Sequence, residues 1–140
     1  MIDTLETVIQ YLKSDADLNL LTGGRVAALH KFGDGWPIPS KAVRVRYDGG
    51  TPDLDVQAQR ARLEISCFGE TQLDASKVYG ALVNVSRNTL RKRVQTNQGF
   101  ALLYWLLPLS GPSFLQDVDA GVDLTLVFFE AHVSELDLGG

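Results

Sequence analysis

Apolar side chains recur at Leu5, Val8, Ile9 and Leu12, the spacing of one helix face, and Asp3 or Thr4 stands where an N-cap belongs. A shorter helical stretch, Asp15 to Leu21, stops at Gly23-Gly24. Arg25 to His30 is a candidate short strand, after which Gly33, Gly35, Pro37 and Pro39 punctuate a loop holding Trp36. From Lys41 to Tyr47 the period changes to two. Val43, Val45 and Tyr47 share one face while Arg44 and Arg46 share the other, the signature of a half-buried strand. The polar run Asp48 to Asp55 reads as a hairpin connection longer than usual. The return strand, Val56 to Phe68, turns Ala61, Leu63, Ile65 and Cys67 one way and Arg60, Arg62, Glu64 and Ser66 the other.

Gly69 ends that strand, and Thr71 with Asp74 predicts a capped helix start. The stripe Ala75, Val78, Tyr79, Leu82, Val83, Val85 and Leu90 is broad enough to lie on a sheet, with Arg91-Lys92-Arg93 closing the helix. Phe100 to Leu107 and Val122 to Val133 read as long apolar strands, joined through Pro108, Gly111, Pro112 and an acidic turn. Apolar residues on both faces at Val127, Phe128 and Phe129 place that last strand centrally or beneath a partner. Short connections favour antiparallel pairing. The expected architecture is α+β: an antiparallel sheet of four strands or slightly more, helices packed on one face, a two-layer sandwich. One domain is expected to span residues 1–140.

Composition narrows the class without naming a function. The 140 residues carry 13 basic and 17 acidic side chains, a net charge of −4, with 45% hydrophobic and 21% charged. That is an ordinary globular balance, which excludes collagen-like, disulfide-framework and nucleic-acid-coating chains. The single Cys67 excludes an intramolecular disulfide and a multi-cysteine zinc site, and a lone thiol favours an intracellular origin. Asp3 and Glu6 sit where a signal peptide needs basic residues, and Phe100 to Leu109 is too short to cross a bilayer as a helix. A soluble chain with no targeting segment and no membrane partner is expected.

Candidate chemistry is sparse. There are two histidines, His30 and His132, and no serine elbow. A Cys67–His132 pair is conceivable if their strands are neighbours, but Cys67 alternates in phase with Leu63 and Ile65 and reads as core. Asp117, Asp119, Gly121 and Asp123 resemble a calcium loop. Gly121 is nevertheless at the fifth position rather than the sixth, and Phe128 stands where the bidentate Glu belongs. The remaining enzymatic reading is a metal-dependent enzyme acting on a small ligand through Asp117 to Asp123 and His132. Arg87, Arg91, Lys92 and Arg93 form the dense basic patch, which reads as complementing a helix carboxyl end. No catalytic, metal or cofactor-binding residue is assigned, and the chain is expected not to be an enzyme.

Surfaces are more informative. Long strands, the Phe128-Phe129 pair and a projecting hairpin exceed what a small monomer needs and suit a ring of subunits. Asp48, Asp53 and Asp55 at the hairpin, Arg60 and Arg62 on the basic strand, and Phe129 are the interface candidates. Acidic tip and basic strand can pair across neighbours.

Four passages, taken in order, resemble the small tail-terminator or tail-completion proteins of long-tailed bacteriophages. They are Leu12 to Val26, the basic strand Lys41 to Tyr47, Leu63 to Thr71, and Asp117 to Val133. The resemblance implies an α+β fold, a hexameric ring that caps the tail tube and receives the head connector, and a place in the virion after assembly in the bacterial cytoplasm. Its implied partners are further copies of itself, the major tail tube protein and the head–tail connector protein. It carries over no catalytic residue and no cofactor. A head-side neck protein, stopper or adaptor, is the alternative. Size agrees: a radius of gyration of roughly 14 Å gives a sphere about 37 Å across. Six touching spheres leave a hole of one sphere diameter, wide enough for a DNA duplex. An acidic subunit suits a conduit that does not grip phosphates.

Overall fold

Helix starts follow from side-chain caps. Asp3, in extended conformation, accepts hydrogen bonds from the Leu5 and Glu6 N–H groups and so opens α1 (Thr4–Ser14). Asp15 accepts from Leu18 N–H to open α2 (Ala16–Thr22), which Gly23 closes at φ 62°, a left-handed conformation that costs glycine little. Thr71 accepts from Asp74 N–H and caps α3 (Gln72–Arg87), as the Thr71–Asp74 spacing predicts. The computed structural model describes residues 3–28, 41–53, 58–117 and 122–135. The Trp36 loop, His30, Asp55 and Asp119 lie outside the described residues.

Among the described residues seven strands form one sheet: β1 (Val26–Ala27), β2 (Ala42–Asp53), β3 (Ala58–Gly69), β4 (Lys92–Thr96), β5 (Gly99–Pro108), β6 (Ser113–Asp117) and β7 (Val122–Glu135). Their order is β1-β2-β3-β7-β5-β4, with β6 also paired to β7. The β1–β2 pair is parallel and the rest antiparallel. β5 meets β7 from Ala101↔Glu135 to Pro108↔Phe129, and β6 meets it from Ser113↔Leu126 to Asp117↔Val122. Because β3 lines the opposite edge of β7 throughout, β5 and β6 act as one long strand interrupted at Leu109 to Pro112.

The sheet is larger than four strands, and it curls. Leu5 N–H donates to the Tyr47 hydroxyl at 2.9 Å, while Asn97 N–H donates to Glu6 Oε1 at 2.7 Å. Tyr47 belongs to β2 and Asn97 to the β4–β5 turn. β2 lies three positions from β5 and four from β4, roughly 14–19 Å if the sheet were flat. One turn of α1 touches both, so the sheet wraps around that helix rather than lying flat beneath it.

Two local expectations need correction. Asp48 to Asp55 is mostly strand, because β2 continues to Asp53 through an irregularity between Tyr47 and Gly50. A bulge absorbs Asp48 and Gly49, the latter at φ 96°, without ending the ladder. At the far end of α3 the helix stops at Arg87, leaving Leu90 72% exposed. Lys92 and Arg93 start β4 instead of closing the helix.

The core lies between helices and sheet. Val8, Leu12, Leu18, Val78, Leu82 and Val85 pack on Val43, Val45, Leu63, Ile65, Val127, Phe129 and Leu103, all buried. Gly69 lets β3 run directly into α3, since a Cβ there would lie 2.5 Å from Ala75 N.

Candidate functional site: the open sheet face

Strand alternation puts the residues between those core positions on the opposite face of the sheet. Arg60, Arg62 and Glu64 on β3 lie in register with His132, Glu130 and Phe128 on β7. On β2, Arg46 is opposite Glu64 and Arg44 opposite Ser66. Trp105 is opposite His132 and Leu107 opposite Glu130 on β5. The core helices cover the other side; on this one Arg60, Arg62 and Leu107 are exposed and the rest of the basic and aromatic array half-buried, while Ala42, Phe68, Val122 and Leu124 bury a second, smaller cluster at one end.

Its side chains hold one another in place. Arg62 stands over the Phe128 ring at 4.7 Å and pairs with Asp48 at 2.8 Å. Arg60 stands over Trp105 at 5.7 Å, Arg44 over Phe68 at 5.2 Å, and Arg46 pairs with Glu64 at 2.9 Å. The Trp105 indole N–H donates to Glu130 Oε2 at 3.0 Å, and the His132 ring lies 4.5 Å from Trp105 and 4.9 Å from Tyr104. The exposed contacts of Arg60 and Arg62 with their rings each contribute about 0.5–1 kcal/mol, and each exposed ion pair less than about 1 kcal/mol. What the array supplies is a pre-ordered surface. Long arginine side chains held on rings lose less freedom when a partner arrives.

The interface candidates divide. Asp48, Arg60 and Arg62 come together at this face. Asp53 lies on β2 opposite Ala58, and Asp55 is outside the described residues. Phe129 does not belong to the surface: it is 0% exposed and packs in the core. Its neighbour Phe128 takes the open side, as the period of two requires. Sequence reading also passed over Trp105 and Tyr104 as surface residues. A register shift between Leu103 and Trp105 breaks the alternation there, and no local signal in an unbroken apolar run marks it.

Among the described residues, the pairs weighed for nucleophilic and metal chemistry are not brought together. Cys67 is fully buried on the helix-covered face, and burial pushes its thiol pKa up. It pairs with Thr125, seven residues along β7 from His132, about 23 Å away and on the other face. Asp123 and His132 are nine residues apart on that strand, about 30 Å, so they cannot share an ion. Among the described residues no cluster of three metal-binding side chains occurs. No helix of the described chain is long and apolar enough to cross a membrane.

No protein-family model and no curated protein matches the sequence. The fold does have a counterpart among solved structures. A chain of a structure titled "Virion of native gene transfer agent (GTA) particle" superposes with a TM-score of 0.64 at 19% identity. The match covers 94% of this chain and 95% of that one, so the two share a fold from end to end.

Proposed function

We propose that this chain is a structural subunit of a phage-type virion, a tail terminator that forms a ring of six copies on the end of the tail tube. The observation that carries the reading is the end-to-end fold likeness to a chain of a virion particle. Two features of the molecule support it. The open sheet face presents ordered arginines and aromatic rings, and β6 leaves an edge strand with Phe114 and Leu115 exposed. Large exposed apolar side chains on an edge favour association over a solitary life.

In this reading the acidic Asp48, Asp53 and Asp55 of one subunit lie near Arg60 and Arg62 of the next. The tube protein binds one rim and the head connector the other. DNA passes through the lumen without specific contacts. The subunit works by shape and transforms no substrate.

Native mass measurement and negative-stain imaging of the purified chain with tail tubes test this. A ring seated on tube ends is the expected result. A monomer that never binds tubes overturns it, and binding to the head connector instead of the tube moves the protein to the head side of the neck.

A further inference from the structure

Leu20 is 84% exposed, more than any other large apolar side chain exposed in the described chain. It follows Asp17 by three residues on α2, so the two share one helix face, and Asp17 is exposed too. An apolar knob with an acid beside it costs the lone subunit solvent-exposed leucine for no benefit within its own fold. Elsewhere on the surface, a groove of about 460 Å³ opens where α3 meets the end of β5. Tyr79 and Val83 form one wall, and Leu107, Pro108 and Leu109 form the other. Among the described residues that line it, Arg87 is the one that carries a charge. Leu107 and Leu109 are 48% and 49% exposed, so the groove has apolar lips.

Knob and groove complement each other in kind: leucine for an apolar cleft, carboxylate for a guanidinium. They do not meet within one subunit. α2 packs against α3 and β2, whereas the groove lies on β5, three sheet positions from β2, and Leu20 is not among its lining residues. Two different complementary patches on separate flanks are what a head-to-tail contact requires, and such contacts make a ring when the rotation between neighbours closes and an open filament when it does not.

We infer that Leu20 and Asp17 of one copy dock into the α3–β5 groove of the next, with Leu20 between Val83 and Leu109 and Asp17 against Arg87. The inference rests on the ring reading above and adds to the Asp48–Arg62 region a second pair of surfaces that join neighbouring subunits. Leucine burial supplies the affinity, and the ion pair sets register and favours encounter.

The test uses the full chain, measuring self-association by sedimentation and ring formation on tail tubes by imaging. Leu20→Ser, at a solvent-exposed site, leaves the melting temperature unchanged and weakens association at least about tenfold. Asp17→Arg and Arg87→Asp each weaken it, and the double charge swap restores it. A chain carrying Leu20→Cys and Leu109→Cys gives an oxidised ladder of linked subunits, with Cys67 buried and silent. If the parent chain assembles and all these variants assemble equally, the docking inference falls while the ring stands. Loss on Leu20→Ser without rescue by the charge swap overturns the Asp17–Arg87 pairing. A parent chain that stays monomeric alone and on tubes overturns both.

Discussion

The Tyr47 hydroxyl donates to Asp3 Oδ1 at 2.9 Å and accepts the Leu5 N–H at 2.9 Å, tying the middle of β2, just before its bulge, to the cap of α1. Asp3 is therefore shared. It caps its own helix through Leu5 and Glu6 and anchors a ring 44 residues away. On the other side Asp3 N–H donates to Gln98 and Glu6 accepts from Asn97, so the helix start fastens both flanks of the curled sheet.

Replacing Tyr47 with Phe removes that hydroxyl and is expected to cost about 1–2 kcal/mol in urea unfolding. The same residue gives a pH signature. Burial raises its pKa above the ordinary 10.0, the Leu5 N–H opposes the rise, and Asp3 adds to it. The unfolded chain then loses its phenolic proton first as the solution becomes alkaline. Stability is full below pH 10 and declines as pH climbs from there through the folded-state pKa. Unfolding curves between about pH 9 and 11 should show this decline reduced in Tyr47→Phe.

Phe128 and Phe129 are adjacent yet belong to different worlds. Phe129→Ala empties a fully buried site and should cost about 3–5 kcal/mol in thermal or urea unfolding. Phe128→Ala, on the open face under Arg62, should cost the isolated subunit much less. If the open face joins subunits, Phe128→Ala lowers ring yield by native mass measurement while the melting temperature barely moves. Equal damage from both substitutions would mean that the open face is covered within the subunit.

Gly69→Ala tests the tight passage from β3 into α3. The added methyl would sit 2.5 Å from Ala75 N and 2.6 Å from Asp74 Cβ, contacts that only a shift of backbone can relieve. A loss of about 1–3 kcal/mol is expected, read by chemical denaturation. Gly80→Ala is the control, since a Cβ there meets nothing within 4 Å and alanine favours the helix.

Arg62→Glu separates a contact inside the subunit from one between subunits. The Arg62–Asp48 pair is half exposed, so breaking it costs the monomer at most about 1 kcal/mol. Association is expected to weaken, most visibly at low salt where charge pairs are least screened. Unchanged assembly across a salt series would leave Arg62 with its partners inside the subunit, Asp48 and Phe128.

Local chemistry sufficed for much of the fold. The helix start at Asp3 or Thr4, the Thr71 cap, the alternation of Val43 and Val45 with Arg44 and Arg46, and the inward set Ala61, Leu63, Ile65 and Cys67 were all legible, because each depends on neighbours within a turn or a pleat. Short β4 and β6 were not legible. Lys92–Thr96 and Ser113–Asp117 carry too few apolar residues to show a period, and they become strands because β5 and β7 offer unpaired edges. The curl of the sheet, the interruption between β5 and β6, and the gathering of Arg60, Trp105, His132 and Glu130 into one array were decided by the tertiary structure. They depend on register between strands far apart in the chain, and a one-residue shift such as that near Trp105 reverses which side chains face out.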